Sequence, residues 1–269
     1  MTEESTPEIK IGEATVKVAH PSILNVLKKR EHVKQQLSKV KHRIGVWSAK
    51  GGVGKTTVSI NLAYTLMRMG YKVGILDADI DCPNVCMFLG ITDRQDGNFP
   101  LKPAEKDGIR IISTAMYVDD TKRPIMWRGP LIAKMVSDFL ENSDWGELDY
   151  LIIDIAPGTS DEPLSIMQLL DIDGFILVTG PQHIASANTI KSGLMAKRMS
   201  VHIVGVVENM SNGSMKGAEE VADALDCKLL GKINYSKKFD EMSDSGKVPV
   251  EYDTEIKEEF ISIAKKLIE

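Results

Sequence analysis

Cysteine is scarce in this chain, with three among 269 residues, and an odd number this small does not make a disulfide framework. No apolar run approaches the ~20 residues that span a bilayer, which excludes a transmembrane helix. The first twenty residues are acidic and polar and lack the basic start and apolar centre of a secretory signal. There is no excess of positive charge either: the formal net charge of −5 argues against non-specific nucleic-acid binding as a main activity. The five histidines (His20, His32, His42, His183 and His202) show no ligand spacing. Repeats, low-complexity tracts and a second domain are all missing. What remains is a chain expected to be cytoplasmic. Its 43% hydrophobic content suffices to bury the core of one large α/β domain.

One stretch organises that domain: Lys50-Gly51-Gly52-Val53-Gly54-Lys55-Thr56-Thr57. It follows the apolar run 43–48 and precedes a helical pattern carrying Ile60, Ala63, Tyr64 and Met67. Strand, glycine-rich turn and helix is the context that gives a phosphate-binding loop meaning. Glycines let backbone N–H groups curl around an anion, and the helix start adds its own free N–H groups and positive dipole end. Gly51, Gly52, Val53, Gly54, Lys55, Thr56 and Thr57 are therefore the candidate nucleotide cradle. Lys55 is placed to reach the β- and γ-phosphates, and the Thr56 hydroxyl to ligate Mg²⁺. Ala49 stands where the usual pattern has its first glycine.

Apolar runs recur at 43–49, 71–77, 109–114, 150–154, 174–179, 202–207 and 228–233. They are continuous rather than alternating, as expected of parallel strands covered on both faces. Helical stretches are expected near 55–70, 130–142, 161–171, 184–199, 214–225 and 254–268, and long polar loops over 91–108 and 116–128. The expectation is a doubly wound, mostly parallel sheet with helices on both faces, a P-loop NTPase fold with its ligand at the carboxyl ends of the strands. Residues 43–269 form the single domain. Residues 1–42 form an extension with an amphipathic leader helix from residue 22 and, before it, a hairpin or edge strand around Ile9, Ile11, Val16 and Val18.

Two strands end in carboxylates. Tyr150-Leu151-Ile152-Ile153-Asp154 puts Asp154 where an NTPase holds its metal, and Gly158 follows with a backbone N–H that could meet a γ-phosphate. The other strand delivers Asp77-Ala78-Asp79. Asp79 is the candidate for orienting the attacking water, and Asp77 is expected to shape the metal's surroundings. Aspartates are also common as caps and turn residues at such positions.

The Lys50 loop, Asp77-Ala78-Asp79 and Asp154-Ile155-Ala156-Pro157-Gly158-Thr159 resemble the deviant Walker-A ATPases related to MinD and ParA. Met126-Trp127-Arg128-Gly129-Pro130, Val178-Thr179-Gly180-Pro181-Gln182 and Val207-Glu208-Asn209-Met210-Ser211 narrow the resemblance to the Mrp/Nbp-type subfamily. The likeness runs from about residue 22 to the end. It implies a homodimeric, Mg²⁺-dependent ATPase that binds iron–sulfur clusters and delivers them to apo recipient proteins. By position it makes Lys50 the signature lysine that crosses to the partner's nucleotide, and Asn209 the adenine-recognising asparagine. Trp127 and Arg128 would lie at the dimer or delivery surface.

The resemblance breaks at one place. Cluster-binding members usually carry Cys-x-x-Cys just after the segment matching 207–211, and here the chain reads Asn212-Gly213-Ser214-Met215-Lys216-Gly217. Cys82 and Cys86 offer a substitute: one pair per subunit could hold a [4Fe-4S] cluster across a dimer interface. The competing reading is two small packed side chains. Two other roles stay open, a MinD/ParA-like spatial regulator and an ATP-dependent regulatory subunit without cluster binding. The first would need a basic face or tail, which the acidic C-terminal helix does not supply.

Overall fold

The protein is described from a computed structural model covering residues 8–11, 14–17, 31, 33–35, 37–95, 100–117, 135–136, 138–140, 142–159, 163, 167, 172–213 and 216–269. Residues 118–128 of the loop expected over 116–128, most of the helices expected near 130–142 and 161–171, most of the leader helix, and Trp127 and Arg128 lie outside the described residues. Near the N-terminus, β1 (Glu8–Ile11) and β2 (Ala14–Lys17) pair antiparallel, with Ile9 opposite Val16, as a hairpin by themselves.

The main sheet is built from β3 (Val40–Trp47), β4 (Val73–Ala78), β5 (Ala104–Lys106), β6 (Ile109–Ser113), β7 (Leu148–Ile155), β8 (Gly174–Thr179), β9 (Ile203–Ser211) and β10 (Lys228–Asn234). Their order is β10-β9-β8-β3-β7-β4-β6-β5, parallel throughout except for β5. Each of the seven expected apolar runs is a strand. Consecutive residues point to opposite faces and both faces are buried: Trp47, Leu76, Ile153 and Leu177 enter one apolar cluster, while Val46, Ile75, Ile152 and Ile176 enter the other. Val33 and Leu37, placed by sequence in the extension, are buried in the same cluster as Trp47.

Helices α1 (Lys55–Arg68), α2 (Val85–Phe88), α3 (His183–Arg198), α4 (Gly217–Leu225), α5 (Lys238–Ser243) and α6 (Thr254–Ile268) fill the connections. The apolar stripe of α6, Ile256, Phe260, Ile263 and Ala264, is buried against β10 and α1, so this helix covers the sheet. Asp253 caps it by accepting a hydrogen bond from the Ile256 N–H at 3.0 Å. Among the described residues, no helix is long and apolar enough to cross a membrane.

Two expectations need correction. The segment 91–108 is not all loop, because Ala104–Lys106 turns back on β6 through Asp107-Gly108. Both turn residues have positive φ, 53° and 88°. That is the geometry Asp-Gly favours in a two-residue hairpin. The second correction is β9, which runs on to Ser211 rather than ending at 207, so Glu208 and Asn209 sit on a strand.

Candidate nucleotide site

The carboxyl ends of β3, β4 and β7 meet at one place, and the parallel register decides what meets there. Val46 pairs with Asp154, and Asp154 pairs with Asp77. From the end of β3 the chain passes through the loop 48–54 into α1. Gly52 and Gly54 hold φ of 80° and 79°, left-handed values that favour glycine. Gly54 opens α1 and no side chain caps that end, which leaves its amide N–H groups to an anion.

Lys55, the first residue of α1, is buried with its ammonium between two carboxylates. Its Nζ lies 2.8 Å from Asp154 Oδ1 and 3.8 Å from Asp79 Oδ2. Neither contact has hydrogen-bond alignment, so a buried ammonium is left without a hydrogen bond. Leaving such a donor unmade is costly, and an anionic oxygen is the kind of acceptor that suits it. Asp154 is fully buried and also accepts from Thr56 Oγ1 and Ser59 Oγ, each at 2.7 Å. Thr56 and Asp154 thus present a pair of hard oxygen donors at the loop mouth, which fits the ligand chemistry of Mg²⁺.

Asp77, the register partner of Asp154, also braces its surroundings. Its carboxylate accepts from the Val85 N–H at 3.2 Å, the Asp79 N–H at 3.3 Å and Ser113 Oγ at 3.0 Å. It therefore ties the loop after β4 to the start of α2 and to β6. Burial, and then the neighbouring Asp154 carboxylate, push its pKa up to about 8. Asp79 is also buried and accepts from the Cys82 N–H at 3.3 Å. Burial raises its pKa, and the Lys55 ammonium pulls the other way.

The two thiols point to different environments. Cys82 is exposed in the loop, whereas Cys86 is buried on α2. Burial pushes Cys86 up to about 11 and also raises Cys82, so both favour the protonated thiol over the thiolate a metal needs. Among the described residues, no group of three or more His, Cys, Asp and Glu is arranged to hold a metal ion.

Four further candidates lie in or around the loop. Lys50 is exposed at its tip, and its carbonyl accepts from Ser48 Oγ at 2.8 Å. Asn209 is buried and donates its Nδ2 to the Val53 carbonyl at 2.9 Å, bracing the loop from β9. A Cβ on Gly54 would overlap that same amide nitrogen. Gly158, with φ of 104°, gives its N–H to the Ser48 carbonyl at 2.9 Å and accepts from the Trp47 indole Nε1 at 2.9 Å. Its N–H is thus committed to the residue just after β3. Thr57 lies in the first turn of α1, half-buried, with its carbonyl accepting from Asn61 Nδ2 at 2.8 Å.

Sequence reasoning missed Ser59, Trp47 and Glu208. Ser59 lies one helical turn from Lys55, a spacing that puts both on one side of α1. Trp47 is the indole donor on the residue before the loop. Glu208 is fully buried and accepts from Ser211 Oγ at 2.6 Å and the Ala218 N–H at 3.1 Å, which shapes the turn from β9 into α4. A charged residue directly after the apolar run 203–207 was the available signal.

A family model described as ParA, NUBPL iron-transfer P-loop NTPase, matches residues 39–268. An iron-sulfur cluster carrier protein of Methanocaldococcus jannaschii is 42% identical over 255 residues, 88% of this chain and 87% of that protein. A cytosolic Fe-S cluster assembly factor NUBP2 homolog of Dictyostelium discoideum is 36% identical over 230 residues, covering 78% of this chain and 87% of the relative. Among solved structures, a nucleotide-binding protein from Archaeoglobus fulgidus in complex with ADP aligns with a TM-score of 0.71 and 33% identity, over 86% of this chain and 96% of that one. The septum site-determining protein MinD of Pyrococcus horikoshii, complexed with Mg-ADP, aligns at 0.66 and 25% identity, over 85% and 96%.

Proposed function

Because the chain belongs to the family of NUBPL iron-transfer P-loop NTPases, we propose that it hydrolyses ATP slowly as a Mg²⁺-dependent homodimeric switch. Its cargo, on this reading, is an iron–sulfur cluster, carried toward an apo recipient protein. The observation that carries the nucleotide reading is the buried Lys55 ammonium, which lies against two carboxylates and makes no hydrogen bond. Polyphosphate oxygens supply the missing acceptors. The amide groups of 51–57 bind and orient the phosphates, and Asn209 recognises the base through an amide that carries both donors and acceptors.

Thr56 and Asp154 are the residues that would hold Mg²⁺, whose charge offsets that of the β- and γ-phosphates. Asp79, at the end of β4, orients the water for attack on the γ-phosphorus. Lys50, exposed at the loop tip, adds positive charge to the phosphates of the facing subunit, as an arginine finger does. Hydrolysis then separates the subunits, a two-state element biased by the γ-phosphate.

The cargo reading rests on the named relatives, iron-sulfur cluster carriers and a cluster assembly factor. The thiols available for it are Cys82 and Cys86, and they divide it from the nucleotide reading. Titration calorimetry with Mg-ATP tests the site: wild type binds, Lys55→Ala does not, and Asp79→Ala binds yet turns over poorly. Normal turnover in Asp79→Ala would overturn its role. Anaerobic iron–sulfide reconstitution tests the cargo, since absence of thiolate-to-iron absorption, or unchanged absorption in the Cys82→Ser/Cys86→Ser variant, removes these cysteines from it.

A further inference from the structure

Among the described residues, both Gly158 peptide planes are held by two adjacent residues, Trp47 at the end of β3 and Ser48 after it. The N–H of Gly158 belongs to the peptide plane before its Cα and bonds the Ser48 carbonyl at 2.9 Å. The C=O belongs to the plane after it and takes the Trp47 indole N–H, also at 2.9 Å. These two adjacent residues therefore fix both soft torsions of Gly158 at once. Trp47 is itself immobile: its ring is fully buried in the apolar cluster with Ile153, Ile155, Phe175 and Leu177. Gly158, by contrast, has the freedom to turn. A Cβ there would meet nothing within 4 Å, and its φ of 104° shows a backbone region reserved largely for glycine.

We propose that Trp47 is the positioning residue of the nucleotide switch, holding the Gly158 peptide in a resting pose that a γ-phosphate must undo. This rests on the nucleotide reading given above and deepens it. Ser48, the residue after Trp47, is the competitor: its carbonyl occupies the N–H that a γ-phosphate oxygen would otherwise receive. While the indole holds the following peptide, turning that N–H away from Ser48 means rotating against a fixed plane. ADP lacks the group that would take the N–H, so it leaves the clamp closed. Trp47 thereby sets how strongly the site distinguishes a triphosphate from a diphosphate, without touching either.

The test compares Mg-ATPγS and Mg-ADP binding by calorimetry in wild type and Trp47→Phe, which keeps most of the buried ring volume and removes the donor. One hydrogen bond present in the resting pose alone is worth a factor of about five, so the preference for the triphosphate rises about fivefold. A purely structural tryptophan would shift both affinities by the same factor. An unchanged or reduced preference, or equal shifts for both nucleotides, overturns the proposal. If Trp47→Phe does not fold, fluorine NMR of 5-fluorotryptophan-labelled protein replaces it, with the Trp47 signal assigned through Trp127→Phe and Trp145→Phe. That signal must move with Mg-ATPγS and stay put with Mg-ADP; the same response to both refutes the clamp. Wild-type protein that binds neither nucleotide refutes the phosphate-site reading itself, and the clamp with it.

Discussion

Replacing Gly54 by alanine separates two reasons for a glycine, backbone torsion and space. Gly54 has φ of 79°, and Gly52 in the same loop has φ of 80°. The torsional cost of a Cβ is thus the same at both, about 1–2 kcal/mol. Their surroundings differ. A methyl group at Gly52 meets nothing within 4 Å, whereas at Gly54 it overlaps the Asn209 amide nitrogen and displaces its hydrogen bond to the Val53 carbonyl. That bond adds about 1 kcal/mol. Gly52→Ala should therefore lower the stability of the nucleotide-free protein by about 1.5 kcal/mol and Gly54→Ala by about 2.5 kcal/mol or more. Asn209→Ala alone should cost about 1 kcal/mol. In the Gly54→Ala/Asn209→Ala double variant the same hydrogen bond is lost once rather than twice. The double loss should then fall short of the summed single losses by about 1 kcal/mol. Urea denaturation midpoints at constant slope provide the measurement. Equal losses for Gly52→Ala and Gly54→Ala, or an additive double variant, would refute the claim that β9 braces the phosphate loop.

Lys55→Ala should destabilise the nucleotide-free protein by about 3 kcal/mol at neutral pH, because the buried Asp79 and Asp154 lose the cation between them. Burial already raises the Asp79 pKa and Lys55 opposes that rise, so without the cation it moves further above its unfolded value and the native state holds an extra proton. The penalty must then grow with rising pH and shrink toward pH 5, as thermal melts across that range would show. Asp253→Ala removes the cap of α6 and should cost about 1 kcal/mol at pH 7. The Ile256 N–H and Lys238 hold the Asp253 pKa below its unfolded value, so its contribution is present above the unfolded pKa and fades as pH falls through the folded one. Melts of the two proteins should accordingly converge in strong acid. Iodoacetamide at pH 8 should label exposed Cys82 well before buried Cys86, both slowly, with rates rising as pH increases; rapid labelling of Cys86 by mass spectrometry would contradict its burial.

Much of this protein is local and could be read from the chain. Seven continuous apolar runs became seven strands because burying both faces of a parallel sheet leaves little room for polar residues. The phosphate loop was equally legible, since a glycine-rich turn between strand and helix draws its character from neighbours in sequence. Asp107-Gly108 is a local turn signal of the same kind.

The roles of individual carboxylates, amides and thiols were decided by tertiary structure. Asp77 and Asp154 are paired by strand register across 77 positions, yet one braces a loop and the other faces Thr56 and Lys55. Asn209 meets Val53 from 156 residues away, and Trp47 meets Gly158 from 111. Cys82 and Cys86 are four positions apart, but the packing of α2 leaves one in solvent and buries the other. The physical reason is the same throughout. A residue's type and its neighbours fix what it can donate, accept or bury, while the partner it does so with is chosen by the register and packing of strands far apart in the chain.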